Sequence, residues 1–423
     1  MEINEIIRVR IIDTNENGVG IAKYDGAVVF AKGTVCGDLC DVRIISHEKN
    51  YYTAEVSRMI EKSEYRISPE CDKFSECGGC TLSNVTYEYE NEIKKKSIMS
   101  ALRRSGLEYS IVEDTVFCSE RKHYRNNVTL HYNGEYFGYY SEKTNTPTEF
   151  GKCKLSPAEF HAIADTINAN AKMLRECTPT DIHIRNNSIN EIIVSIYVKN
   201  SVPDSVRNEF TDKIMECCKS IRDVNFVCSG RGASYIEDDI AGIKMRFSSE
   251  AFRQVNTPAF EKLLEIVCEI IRNLDFEFAS DLYCGSGIIG LKLAKMFPER
   301  KFIGIEINPD SIRDAKYNAK KNNINNIEFY TGDSASLLDR IHGKGLPEMI
   351  TVDPPRAGLS KKVCSDIVKI SPNNLIYVSC NPQTLVRDLK YFNDNGYVIK
   401  RVIPVNLFPF TKHCECVVWL TRD

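Results

Sequence analysis

Cys380 stands in the stretch "IYVSCNPQTLVR" (376–387), just beyond the apolar run Asn374 to Val378. A cysteine in such a place has two uses. Free cysteine packs well in cores, and its thiolate is a strong nucleophile. Position alone leaves both open, although chemistry in open α/β sheets gathers beyond the carboxyl ends of the strands. Pro382, two residues on, is expected to keep a helix from starting at once. Farther along, "NLFPFTKHCECVVWL" (406–420) brings His413 and Glu415 to the threshold of a last strand. A thiol and a later carboxylate suit alkylation of a sluggish pyrimidine carbon. Carbon 5 of uracil attacks an electrophilic methyl group once a thiolate has added to carbon 6. A general base must then remove the carbon-5 proton so that the thiolate can leave. Cys380 would be the nucleophile and Glu415 the base. Taken singly, Glu415 also reads as a surface carboxylate and His413 as a turn histidine.

The elements that must hold these residues begin near residue 258. A helix, "PAFEKLLEIVCEIIRNL", is followed by strands alternating with helices, the pattern of a parallel sheet. "ASDLYCGSGIIG" (279–290) reads as a strand ending at Asp281-Leu282-Tyr283, a turn through Gly285 and Gly287, and a helix over 288–296. Glycines there let a ligand approach the backbone. "KFIGIEINPD" is a second strand whose Glu306 lies 19 residues after Gly287, the place of an acid that binds ribose hydroxyls. A helix over 310–322 and a third strand, "IEFYTGDSA" with Asp333, follow; "EMITVDPPRAG" is a fourth, ending at Asp353 in a loop stiffened by two prolines. Acids after three strands suit a ligand with ribose and adenine but no phosphate, such as S-adenosylmethionine. Gly290 occupies the third-glycine place of a dinucleotide fingerprint, so spacing alone does not exclude a nicotinamide. Asp353 and Gln254 could hold either the cofactor or the edge of a pyrimidine.

Residues 4–58 alternate in short apolar runs separated by turns such as Asp25-Gly26, which predicts a small five-stranded, OB-like barrel. Helices are expected over 91–105, 156–175 and 203–220. Between barrel and sheet lie Cys71, Cys77 and Cys80, with Cys153 far downstream. Clustered thiols bind zinc or iron–sulfur clusters, and their spacing decides between neither.

Length and composition bound the rest. The chain has 423 residues, enough for two or three domains, with 43% apolar and 27% charged residues. It carries 17 cysteines, an odd number, and opens on "MEINEIIRVR" where an export signal would be basic and then apolar. A reducing, cytoplasmic setting and no membrane span are expected. Net charge is −3, and residues 1–150 hold 19 Lys and Arg against 24 Asp and Glu. A nucleic-acid surface must therefore be a local patch. Candidates are Lys94-Lys95-Lys96, Arg103-Arg104 and Arg121 to Arg125, where basic and aromatic residues interleave.

Taken together, "DPPR", "SCNP" and "HCEC", in that order, resemble the S-adenosylmethionine-dependent RNA 5-methyluridine methyltransferases, nearly end to end. The resemblance implies a TRAM barrel at 1–60, a central α+β domain at 61–245 and a Rossmann-like methyltransferase domain at 246–423. It implies Cys380 as nucleophile and Glu415 as base. Gln254 in "FRQVN", Tyr283, Gly285, Glu306, Asp333 and Asp353 become cofactor positions. Cys71, Cys77, Cys80 and Cys153 become ligands of a 4Fe-4S cluster. Ile288-Ile289 departs from the polar or aromatic residue common after the second glycine. The resemblance further implies a monomer acting on a uridine of 23S ribosomal RNA, with a transfer-RNA T-loop uridine or a non-catalytic assembly role as alternatives.

Overall fold

The computed structural model describes residues 1–422 apart from 75, 142, 143, 145, 229–233, 249, 250 and 337–344. Six N-terminal strands form one sheet: β1 (Ile6–Arg10), β2 (Asp13–Thr14), β3 (Gly20–Tyr24), β4 (Ala27–Lys32), β5 (Leu39–Glu48) and β6 (Tyr51–Glu61), in the order β1-β5-β6-β4-β3-β2. The expected five strands thus become six, because Asp13-Thr14 pairs briefly with β3. Val9, Ala22, Val29, Val42 and Ala54 fill its core.

Helix α1 (Tyr87–Arg104) follows, four residues ahead of its predicted start, because the Thr86 side chain caps it by accepting from the Tyr89 amide. A second sheet comprises β7 (Asn127–Tyr132), β8 (Phe137–Tyr140), β9 (Pro147–Glu149), β10 (Pro179–Asn186), β11 (Ile192–Val198) and β12 (Ile221–Cys228). Helices α2 (Ala158–Asn170) and α3 (Asp204–Cys217) cover it, with Phe160, Ile163 and Phe210 in the shared core. The hairpin of β13 (Tyr235–Ile240) and β14 (Ile243–Ser248) leads to α4 (Thr257–Arg272).

The last sheet carries the site. Its strands are β15 (Phe278–Leu282), β16 (Lys301–Glu306), β17 (Ile327–Thr331), β18 (Met349–Val352), β19 (Asn374–Ser379), β20 (Tyr397–Val405) and β21 (Glu415–Arg422). The order is β17-β16-β15-β18-β19-β21-β20, parallel through β19, with β21 inserted antiparallel beside it. α4, α5 (Ile288–Met296) and α6 (Pro309–Lys321) pack Leu263, Val267, Leu291 and Ile312 on one face. α7 (Lys361–Ile370), α8 (Pro382–Asp394) and α1 pack Ile367, Leu389 and Leu102 on the other. Buried on both faces, β18 and β19 read as unbroken apolar runs. α1, far earlier in sequence, docks on this C-terminal sheet, and Val112 and Val116 bridge to β20.

One expectation reverses. Pro382 does not delay a helix; it opens α8, with the Asn381 side chain capping by accepting from the Gln383 amide at 3.1 Å. Proline at the first helical position loses a donor that has no partner there anyway.

Candidate active site

Sheet register builds the site. Along β19 and β21 the pairing runs from Asn374 opposite Thr421 to Ser379 opposite Cys416. Continued one residue beyond Ser379, this register brings Cys380 to the level of Glu415, whose charge lies near enough to raise the thiol. On the parallel side, Leu282 pairs with Ile305 and with Val352. One step further, Glu306, Tyr283 and Asp353 lie level along the same sheet edge. Asp353 therefore stands between a glycine-turn end and a thiol end.

At the glycine-turn end, Tyr283, Gly285 and Gly287 all take positive φ (59°, 53° and 90°) as the chain doubles back into α5. A Cβ on Gly287 would come within 2.8 Å of the Phe329 ring, so only glycine fits where the turn crosses β17. Gly290 serves packing: a Cβ there would meet Ile327 at 2.8 Å and Asp281 at 3.0 Å. Glu306 accepts from the Gly285 amide at 3.2 Å and the Asn308 amide at 2.8 Å. Its carboxylate is thus fixed beside the turn. Asp281, buried beneath, accepts from Gly290 N at 2.9 Å and Thr351 Oγ1 at 2.6 Å. Burial pushes its carboxyl up to about 6. Asp333, whose side chain accepts from the Ala335 amide, lies close enough to raise the Tyr283 phenol after burial has done so. Gln254 is placed by Asn126, which donates to its backbone carbonyl at 3.0 Å. Ile288 and Ile289 turn into the core, so no polar side chain follows Gly287.

At the thiol end, burial pushes half-buried Cys380 up to about 11, helped by Glu415 and Asp353 and opposed by Arg356. Glu415, only 3% exposed, is pushed up to about 8 by burial and then by Asp353. Asp353 itself is pushed up to about 7 by burial and by Asp281. Burial and the Arg356 and Lys412 cations push His413 down to about 4, leaving it neutral at pH 7. The thiol is held by its neighbours: Asn381 donates to the Arg356 carbonyl at 2.9 Å, and Thr384 to the same oxygen at 3.2 Å. Arg356 also reaches His413 Nδ1 at 3.2 Å. The sequence named "DPPR" without giving its arginine a part; the only signal was its place after the fourth strand.

The four predicted cysteine ligands come together elsewhere. Cys71, Cys77, Cys80 and Cys153 line one small cavity of about 50 Å³ walled by Phe74, Tyr139, Phe150 and Phe410. Burial and the other three thiols push Cys80 up to about 12. Among the described residues, no three His, Cys, Asp or Glu side chains stand as ligands of a metal ion.

The basic patch does not survive as drawn. Lys94 is completely buried, and Arg121 is paired with buried Glu90 at 2.8 Å. Tyr124 is buried and donates to the Pro409 carbonyl. Lys95, Lys96 and Lys122 face outward in ion pairs with Asp114, with Asp13 and Glu92, and with Glu70. Within the interleaved stretch, Arg121 reaches inward to the buried Glu90 carboxylate and Tyr124 packs inward, while Lys122 pairs with Glu70 outside. Among the described residues, no helix is long and apolar enough to cross a membrane.

Comparison with known proteins agrees with this geometry. The sequence pattern of the tRNA (Uracil-5-)-methyltransferase family matches residues 87–423. An uncharacterized RNA methyltransferase of Clostridium acetobutylicum is 32% identical, spanning 99% of this chain and 97% of its own. One of Bacillus cereus is 30% identical, spanning 99% and 98%. The crystal structure of the Pyrococcus abyssi tRNA (uracil-54, C5)-methyltransferase in complex with S-adenosyl-L-homocysteine superposes with a TM-score of 0.74 at 21% identity, covering 98% of this chain and 99% of that one. The chain belongs to the tRNA (uracil-5-)-methyltransferase family, the S-adenosylmethionine-dependent methyltransferases of RNA uracil C5.

Proposed function

We propose that the protein methylates carbon 5 of a uridine in 23S ribosomal RNA through a covalent Cys380 adduct. The end of β19 beside the start of β21, which brings the Cys380 thiol within reach of the Glu415 charge, supports this reading. S-adenosylmethionine, when bound, supplies the electrophilic methyl group; Gln254, Tyr283, Gly285, Glu306, Asp333 and Asp353 are the residues that would hold it. The Cys380 thiol gives up its proton to solvent and its sulfur bonds carbon 6 of the uracil, the electron pair of the 5,6 double bond passing to carbon 5 and the carbon-4 carbonyl as an enolate. Arg356 is the one cation that opposes the thiol's raised pKa, so it favours the thiolate. Carbon 5 then takes the methyl group. Glu415, as carboxylate, accepts the carbon-5 proton, the carbon–sulfur bond breaks and the thiolate leaves. A target base must be extrahelical or single-stranded for sulfur to reach its face.

The N-terminal sheet, taken as a TRAM barrel, would dock RNA, and the three large sheets would correspond to domains at 1–60, 61–245 and 246–423. Cys71, Cys77, Cys80 and Cys153, which line one cavity, are the residues that would hold a 4Fe-4S cluster. Methyl transfer has no net redox change, so the cluster's part would be structural or in RNA docking. A second reading, a transfer-RNA uridine, draws on the Pyrococcus enzyme, which acts on tRNA and spans the same full length.

The test incubates the pure protein with labelled S-adenosylmethionine and total RNA from cells lacking it, then maps 5-methyluridine. Label at one large-subunit ribosomal uridine supports the proposal. Label in transfer RNA keeps the chemistry and overturns the substrate. Label in neither, with cofactor bound, overturns both.

A further inference from the structure

The segment Asn406 to Cys414 leads into Glu415, and α1 supplies much of what holds it, with Leu82, Val116, Tyr124 and Asn256 bonding it from outside that helix. Asn406, fully buried, donates to Glu90 Oε1 at 2.9 Å and to Asn91 Oδ1 at 2.8 Å, and accepts from Lys94 Nζ. Lys94 Nζ also donates to the Phe408 carbonyl at 3.0 Å. The Phe410 amide donates to both oxygens of Glu90, each at 3.0 Å. Its carbonyl accepts from the Leu82 amide at 2.8 Å. Phe410 takes φ of 69°, a left-handed conformation that an aromatic residue avoids unless its surroundings impose it. The imposing group is Glu90, fully buried between Lys94 at 2.9 Å and Arg121 at 2.8 Å, with the Arg121 guanidinium 4.1 Å over the Phe410 ring. Beyond Phe410, the Thr411 hydroxyl donates to Phe408 O and accepts from the His413 amide. From Phe410 to Glu415 the chain therefore has little slack.

We propose that Glu90 is a positioning residue for the proton-removal step: with Lys94 and Arg121 it fixes the strained Phe410 turn and so sets the Glu415 carboxylate against the Cys380 adduct. A buried network in which Glu90, Lys94 and Asn406 all bond to one another favours one arrangement. A strained residue five positions from a reacting group is where such selection is needed. The inference rests on the reading of Glu415 as the base. It predicts a particular defect. Adduct formation depends on Cys380 and the cofactor end, which the network does not touch; resolution of the adduct depends on Glu415, which it aims.

The test compares Glu90→Gln, Phe410→Gly, Arg121→Lys and Glu415→Gln in the full chain, each normalised to folded protein by cofactor-binding stoichiometry. Phe410→Gly guards against a Glu90 variant that fails to fold, since glycine adopts φ of 69° freely. Arg121→Lys keeps a cation beside Glu90 but loses the guanidinium over the Phe410 ring, so it tests the same hold more mildly. With labelled RNA, Glu90→Gln and Phe410→Gly should lower turnover roughly 10- to 100-fold while the covalent protein–RNA adduct accumulates about tenfold. Cofactor affinity should stay within about twofold, and Arg121→Lys should accumulate adduct to a smaller extent than Glu90→Gln. Unaltered turnover per folded molecule in both variants, with Glu415→Gln trapping adduct, would overturn the positioning role and leave the base intact. A Glu415→Gln protein that traps no adduct would overturn the base assignment and this inference with it.

Discussion

Two glutamates on one sheet edge have been given opposite surroundings. Glu306 ends parallel strand β16, and two backbone amides orient its carboxylate beside the Gly285 turn. Glu415 begins antiparallel strand β21, closed off from water and next to Asp353, with its carboxyl pushed up to about 8. On the proposed reading, the first accepts hydrogen bonds from cofactor hydroxyl groups without reacting. The other is poised to exchange a proton near neutral pH. The insertion of β21 between β19 and β20 makes the difference. It brings a carboxylate from the far end of the chain opposite a cysteine that ends a parallel strand, something βα repeats alone cannot do.

The comparison breaks hardest at Cys380. Cys380→Ala should reduce methyl transfer by at least about 10⁴-fold, because the uncatalysed attack by carbon 5 lacks covalent activation. Cofactor binding, measured by calorimetry, should change less than about twofold, since the thiol lies at the other end of the edge. Equal losses of turnover and cofactor affinity would show that the two ends are one site.

Glu415→Gln should fall next, by about 10³-fold in turnover, with a gel-stable protein–RNA adduct in place of product. Two pH effects follow from the same carboxyl. Turnover of the unaltered protein should rise as pH climbs through about 8, where Glu415 ionises. The stability effect has the opposite sign. A carboxyl raised from its ordinary 4.5 to about 8 stabilises the fold below 4.5 and loses that contribution as pH rises through 8. Glu415→Gln should therefore raise Tm by several degrees at pH 8.5 and little at pH 5. A uniform shift across pH would place the carboxyl in contact with water.

Glu306→Gln sharpens the other side. Loss of charge-assisted acceptance from ribose hydroxyls should weaken S-adenosylmethionine by about 10- to 100-fold. The rate at saturating cofactor should hold within about threefold, and no adduct should accumulate. Adduct trapping here would mean that Glu306 also governs the proton step.

How much of this was legible depended on which residues carried the signal. In the C-terminal half, each site residue follows an apolar run, so alternation of strands and helices placed Tyr283, Glu306, Asp353 and Cys380 at one edge. The pairing of Cys380 with Glu415 was not legible from spacing, because it depends on β21 running antiparallel in a register set by Trp419, Val418 and Val417 against Ile376, Tyr377 and Val378. Pro382 was misread because proline's exclusion from helix interiors does not extend to the first turn. The harder failure lies in residues 90–125. "EYENEIKKK" and "RKHYR" have the composition of a solvated, RNA-facing surface. They instead split: Glu90, Lys94 and Arg121 point inward to one another and to Asn406, while Lys95, Lys96 and Lys122 point outward. Single-sequence periodicity counts charged residues as exposed, and a carboxylate satisfied by partners some 30 and 316 positions away defeats it.

The smallest effect tests that split within a single run of lysines. Lys96 reaches Asp13 and Glu92 only at 3.9 and 3.7 Å, with its side chain half exposed. Exposed pairs at such distances contribute little, so Lys96→Gln should change unfolding free energy by less than about 0.5 kcal/mol. Lys94→Gln removes a completely buried cation from Glu90, Asn406 and Phe408, and should cost about 3–5 kcal/mol by denaturant titration. The two residues are two positions apart on one helix and carry the same charge. Equal costs would mean that the carboxylate network exerts no more hold on its lysine than the surface does, and the inward half of the comparison would fail. If Lys96→Gln also leaves RNA affinity unchanged, Lys96 is solvated helix charge and not an RNA contact.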